Sequence, residues 1–373
     1  MAVAQFLVVA VSAFRLAPPA QPHDRVGPTG GWSHVASFAA ATSIDPSDAG
    51  VREGLGLDTA AADVLAGCDV ALLRSSGGAD ASCTSLYDSA GRVPVLGVGS
   101  GFVDRGGFRF TAVARPVANP WTLLDRPAAA TGPVPAILDA ATAQWALKLG
   151  GVGARFRLPV GPGEPVEFEI VALLDLSILQ GFVLVAEREF ERLLPARSGY
   201  GMALVDAGRA TAAGAAGRTV TRALEAAWSD AGAEVTAAPA RLARLQAVQN
   251  TFLTAFQTLG TLGLQLGTAG VAAVQAQGAA ERRQQLALVR AVGFTPARIR
   301  GLLVMETLWM VGLGLAAGTA AGGLAVWPLL ADAGRRLPVV WLGATSGLVL
   351  AAAVGAGLVA ASRHAIPERP RAE

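Results

Sequence analysis

The chain has 373 residues, 52% of them hydrophobic and 16% charged, with a net charge of +2 and a mean hydropathy of +0.46. That balance excludes an ordinary soluble enzyme and points to the membrane class. Of 30 basic residues only Lys148 is a lysine, and the small net charge names no partner, because the placement of charge matters more than its sum.

The first element, MAVAQFLVVAVSAF, is apolar for fourteen residues and then meets Arg15 and a proline-rich run. It carries no positive residue ahead of the apolar run, as a signal peptide would, and we read 1–18 as a short first membrane helix, either truncated or a signal anchor. From 19 to 245 the chain is broken by Gly and Pro. β-type runs occur at 93–98, 107–114, 134–139, 165–174, 182–187 and 202–207, with helical segments at 138–149, 186–195 and 216–232. In 165–174, Val166, Phe168, Ile170 and Ala172 fall on one side of the pleat and Glu167 and Glu169 on the other. This region predicts an inserted α+β domain, and 236–248 a helical stalk leading out of it.

The C-terminal third, 246–373, contains three long apolar stretches. No charged side chain lies between Arg244 and Glu281, only Glu306 between Gly301 and Ala331, and none from Leu337 to Ser362. Each exceeds the roughly 20 residues that cross a ~30 Å hydrocarbon core as a helix. We expect spans at about 249–274, 302–327 and 339–361, making a bundle of about four transmembrane helices with the first one short. Gly260, Gly263, Gly267 and Gly270 mark one helix, and Gly314, Gly318 and Gly322 the next. Glycines four apart let helix backbones approach closely, either in a homo- or heterodimer or against a helix of the same subunit. Glu306 lies about one turn inside its span, where a local ion pair with Arg298 or Arg300 is expected rather than a transport site.

Between two of these stretches lies 281-ERRQQLALVRAVGFTPARIR-300, with five arginines and one acid. Gly293 is placed to end a first helix, and Thr295–Pro296 to start a second that leads into the next span. Arginines flank cytoplasmic ends, so 276–300 and the tail with Arg363, Arg369 and Arg371 are assigned to the cytoplasm. Arg335 and Arg336 run against that bias. The 19–245 domain is then extracytoplasmic, in the inner (plasma) membrane of its cell. An oxidising exterior favours a Cys68–Cys83 disulfide over two unpaired core thiols.

The run ERRQQLALVRAVGFTPARIRGLLVMETLWMVGLGLAAG resembles the FtsX-like permease signature over about 40 residues, and more loosely from Gln249 to Ala361. The stretch 133-PVPAILDAATAQWALKLGGVGARFRL-158 followed by 166-VEFEIVALL-174 is similar to the periplasmic domain of MacB-like permeases, with Ala172 where a glycine is common. The resemblance implies the membrane subunit of an ABC transporter of the mechanotransmitting type, serving a separate ATPase subunit. It implies a coupling segment that touches that ATPase through Glu281, Arg282, Arg283, Leu286, Arg290, Gly293 and Phe294. A basic amphipathic loop held at membrane lipid is the simpler reading of the arginines alone. Export or extraction of a lipid, lipoprotein, peptide or drug is the implied role. The alternative is a scaffold or sensor that binds an extracellular ligand or regulates a cell-envelope hydrolase, whereas a periplasmic adaptor as partner would fit export.

Catalysis finds no support. GxxxxGK[ST] is absent, 97-GVGSG-101 is not the GxSxG nucleophile elbow, and no cysteine or histidine spacing forms a metal set. No cofactor is expected, and the basic residues lack the aromatic interleaving of a nucleic-acid site.

Overall fold

A computed structural model describes residues 1–14, 23–77, 93–126, 132–161, 164–208, 214–333 and 339–364. The chain divides into two compact units, Ala17–Val248 and Met1–Leu16 with Gln249–Glu373.

The first unit is built on one mixed sheet of ten strands. In chain order they are β1 His34–Thr42, β2 Asp69–Ser75, β3 Val95–Val98, β4 Phe110–Val113, β5 Val134–Asp139, β6 Arg155–Leu158, β7 Val166–Leu174, β8 Val183–Ala186, β9 Tyr200–Asp206 and β10 Ala233–Ala237. The spatial order is β10-β1-β9-β2-β3-β8-β5-β7-β4, with β6 also on β7. β3 runs parallel to β8 and β5 parallel to β7; the other pairings are antiparallel. Helices α2 Ala49–Gly54, α3 Thr59–Ala66, α4 Ser100–Arg105, α5 Glu187–Leu193 and α6 Gly214–Ala227 connect the strands. Asp48 and Asp58 cap α2 and α3, accepting from Gly50 N–H and Ala61 N–H, as aspartate at a helix start does.

One face of the sheet carries a core around Trp32, Phe102, Trp121 and Phe182. The other face has two. One, around Phe168, Ile170 and Phe190, lies by α5; the other, around Leu65, Val205 and Trp228, lies under α3 and α6. β7 shows why its sequence alternates only at first: Val166–Glu169 form an antiparallel edge with β6, whereas Ile170 to Leu174 are all buried. A register shift opposite Ala136–Ile137 breaks the simple two-residue period there.

The helix expected at 138–149 is replaced by the end of β5 and a π-helical turn, Thr142–Ala146. Asp139, buried at the strand end, accepts from Thr142 N–H (2.8 Å) and Gly181 N–H (3.0 Å), which stops a regular helix from starting earlier. The run expected at 107–114 is shorter because Gly107 and Phe108 both take positive φ. The helix expected at 216–232 ends at Ala227, followed by a 3₁₀ turn, Ser229–Ala231, and Gly232 in the left-handed region.

At the start of β1, Ser33 Oγ donates to Val205 O (2.9 Å) and accepts from Ala207 N–H (3.0 Å), so His34 Nδ1 donates at the 2.9 Å Ser33–His34 contact. Burial lowers the His34 pKa below its ordinary 6.5, with the Gly217 backbone opposing. The unfolded chain therefore takes up this proton first, and stability is lost as pH falls below about 6.5. Thermal melts between pH 8 and pH 5 should show this loss, and His34→Leu should shrink it.

Candidate functional site

In the second unit, α1 (Ala2–Phe14), the part of α7 (Ala238–Glu281) from Gln249 onward, α9 (Pro296–Ala333) and α10 (Val339–His364) are apolar helices, and α8 (Arg283–Ala291) is a short basic one. Among the described residues, one stretch, Ala297–Trp327, is long and apolar enough to cross a membrane; Ala2–Phe14 and Leu342–Gly355 are shorter apolar helices. The expected span at 249–274 is helical and free of charge, but it carries polar side chains such as Gln257 and Thr268, which lower its hydropathy.

α1 packs against the glycine stripes of two neighbours. A Cβ on Gly260 would stand 2.8 Å from Val8 Cγ2, on Gly263 3.2 Å from Ala4 Cβ, and on Gly267 2.9 Å from Met1 Cγ. On α9, a Cβ at Gly318 would collide with the Ala2 carbonyl oxygen, and one at Gly322 would lie 2.8 Å from Val9 Cβ. Gly314 is 3.5 Å from Met1 Cβ by the same measure, and Gly270 meets nothing within 4 Å. These stripes therefore meet α1 of their own chain. The packing core is Val8, Leu264, Val311, Leu315, Val349 and Ala353.

Polar side chains tie the same helices. Gln5 Nε2 donates to Thr319 Oγ1 (3.1 Å) on α9 and to Ser346 Oγ (3.2 Å) on α10. Gln257 Nε2 donates to Ser12 Oγ (3.2 Å), joining α7 to α1. In an apolar bundle such bonds fix which helices associate. The sequence reading passed over them. The available signal was a glutamine within the first apolar run and another within the charge-free stretch of α7. Outside this core, Phe252, Leu259, Leu266, Leu313, Leu324 and Trp327 are exposed. Exposed apolar side chains of that size suit a hydrocarbon surround rather than water.

The basic segment follows α7. Glu281 closes that helix and accepts from Gln277 Nε2 (3.1 Å). α8 ends at Ala291, and Gly293 takes φ +103°, a conformation that a side chain would strain. Phe294 N–H returns to Val289 O (3.3 Å), closing the turn, and Arg298 N–H bonds Thr295 O (3.0 Å) as α9 begins at Pro296. Around the turn Leu288, Val292 and Phe294 are exposed, as are Arg282 and Arg298. Arg283, Leu286 and Arg290 lie on α8. The expected ion pair of Glu306 with Arg298 is corrected, since Glu306 Oε1 lies 3.8 Å from Arg282 Nη1, and the Arg300 side chain lies outside the described residues. The tight turn at Gly293 brings the start of α8 back beside the third turn of α9. Both side chains are well exposed, so the pair is worth little in stability.

Cys68 is a buried member of the core under α3 and α6, and its thiol donates to Val64 O at 3.3 Å. Burial, with Asp206 and Asp69 adding to it, pushes the thiol pKa up to about 11. Its expected disulfide partner Cys83 lies outside the described residues, as do Arg335, Arg336, Arg369 and Arg371. Among the described residues no group of three His, Cys, Asp or Glu could hold a metal ion.

No match to the chain is found among curated proteins. A family model, that of the FtsX-like permease C-terminal domain, matches residues 258–366. The matched segment takes in most of the apolar part of α7, the whole basic turn, α9 and α10. That family comprises membrane-embedded transport subunits that work with ABC ATPases. Charge-free helices joined by a basic turn and a direct family match agree, and residues 258–366 are similar to the FtsX-like permease C-terminal domain.

Proposed function

We propose that the chain is the membrane subunit of an ABC transporter of the mechanotransmitting type, anchored by about four spans in the inner membrane. The domain of residues 17–248 stands on the outer side in this reading, as the counterpart of the outer domain of MacB-like permeases. It moves in response to a separate ATPase, and the work done is export or extraction of a lipid, lipoprotein, peptide or drug. Two copies, or this chain with a second permease, would pair over one ATPase dimer.

The observation that carries this reading is the turn at 281–300. It presents apolar side chains, Leu288, Val292 and Phe294, beside exposed arginines Arg282 and Arg298, on a glycine-braced helix–turn–helix. An amphipathic knob of this kind fits a groove on a protein surface. It lies inside the segment that matches the permease family. Glu281, Arg282, Arg283, Leu286, Arg290, Gly293 and Phe294 are assigned to ATPase contact. A photocrosslinking residue at Leu288 should capture the ATPase subunit in native membranes, whereas one at Leu266, exposed on α7, should capture lipid. Capture of lipid alone at both positions would remove the coupling role.

A further inference from the structure

A groove of about 480 Å³ runs along one side of α9, lined by Met305, Leu308, Trp309, Gly312, Leu313 and Ala316. Met305 and Gly312 are seven residues apart, as are Trp309 and Ala316, so these four follow one line down the helix. Leu308 and Leu313 flank that line. A Cβ on Gly312 meets nothing within 4 Å, whereas α1 closes on Gly318 and Gly322 at the other side of the helix. The depression at Gly312 is therefore left unfilled by the described helices.

The same line continues towards the start of α9 through Leu302 to Arg298, both exposed. Among the described residues Arg298 makes no ion pair, unlike Arg282, which stands beside Glu306. The groove thus leads to an uncommitted guanidinium, at a helix start whose own dipole is positive. The lengths also fit a bilayer. Met305 to Ala316 covers about 16 Å of helix, the depth of one leaflet in a ~30 Å hydrocarbon core. Arg298 lies about 10 Å before Met305, in the headgroup zone that flanks that core.

A second copy of the chain fits this face badly. Two parallel copies meeting along it would set Arg298 against Arg298. The exposed Trp309 ring would also hold apart the backbones that Gly312 and Ala316 could otherwise bring together. A phospholipid meets neither obstacle, and an anionic headgroup complements the arginine.

We propose that this face holds one anionic phospholipid of the surrounding bilayer, with an acyl chain along Met305–Ala316 and the phosphate accepting from Arg298. The site rests on the reading of α9 as a membrane helix. It is separate from the ATPase contact, to which neither Arg298 nor any groove residue is assigned.

The test is native mass spectrometry of the full chain in mild detergent, with phosphatidylglycerol or phosphatidylcholine of matched acyl chains added. The unaltered chain should retain one phosphatidylglycerol in preference to phosphatidylcholine. Arg298→Ala should lower phosphatidylglycerol retention roughly tenfold, the worth of a charged hydrogen bond, and erase the preference. Gly312→Leu fills the groove from a position whose Cβ meets nothing, so it should reduce retention of both lipids. It should leave ATPase co-purification intact, which separates this site from the coupling segment. Equal retention of the two lipids by the unaltered chain, or retention indifferent to both variants, would overturn the proposal. So would an Ala316→Cys disulfide formed between two copies in native membranes, with Cys68 and Cys83 replaced by serine, because the face would then belong to a second copy. Recovery of the chain without detergent would remove the membrane reading itself.

Discussion

Replacing Gly318 with valine is expected to expel α1 from the helix bundle. A Cβ at this position meets the Ala2 carbonyl oxygen and stands 2.7 Å from Gln5 Cβ. The first of these is backbone and cannot turn away, so α1 as a whole must shift. Overpacking costs about 1–3 kcal/mol where neighbours can adjust, and here the shift also pulls Gln5 from its bonds to Thr319 and Ser346. Disulfide trapping reads the result directly. With Cys68 and Cys83 replaced by serine, an Ala4→Cys, Gly263→Cys pair should cross-link, because a Cβ at Gly263 lies 3.2 Å from Ala4 Cβ. Adding Gly318→Val should abolish the bond, while Gly270→Val, whose Cβ meets nothing within 4 Å, should leave it intact. An undiminished cross-link in the Gly318 variant would mean that α1 is not held by this stripe.

The second large effect lies in the sheet domain. Trp121 is fully buried, its ring meets Phe102 at 4.8 Å, Phe110 at 5.4 Å and Phe108 at 5.9 Å edge-on, and its Nε1–H donates to Gly107 O (3.0 Å). Edge-to-face contacts of this kind add to the area that the rings bury. Trp121→Ala should cost about 3–5 kcal/mol, lowering the melting temperature of a domain this size by roughly ten degrees. Trp121→Phe keeps most of the packing and loses the indole hydrogen bond, so its cost should be near ~1–2 kcal/mol. Differential scanning fluorimetry of the full chain would measure both. An alanine variant that melts with the unaltered chain would show that this cluster does not hold the first core together.

Several features were legible in the residues themselves. The charge-free stretches announced helices, and Gly293, Thr295 and Pro296 placed the turn between α8 and α9 because each has a local backbone reason to be there. β5, β7, β8 and β9 were readable from valine, isoleucine and leucine runs. β1 and β10 were not. HVASFAAAT and AEVTA are rich in alanine, which has little strand preference, and they become strands by pairing with each other and with β9. Asp139 was visible as an acid, but its role in ending β5 depends on Gly181, which lies far along the chain.

The candidate site divides the same way. The glycine stripes showed that something packs closely on α7 and α9, yet periodicity does not name the partner. That partner is α1, the shortest apolar run in the sequence, fastened by Gln5 and Ser12. The pairing of Glu306 with Arg282 rather than Arg298 needs the chain to double back at Gly293, a three-dimensional fact.

The most direct test of the coupling role is co-purification. The chain would be drawn from its native membranes in mild detergent, unaltered and with Leu288→Asp or Phe294→Asp, two exposed apolar positions beside the Gly293 turn. An ABC ATPase subunit should accompany the unaltered chain and be lost from both variants, while the variants' sheet domain keeps its melting temperature. Absence of the ATPase from the unaltered chain, or its undiminished recovery with both variants, would contradict the assignment of 281–300 as the segment that couples this protein to ATP hydrolysis.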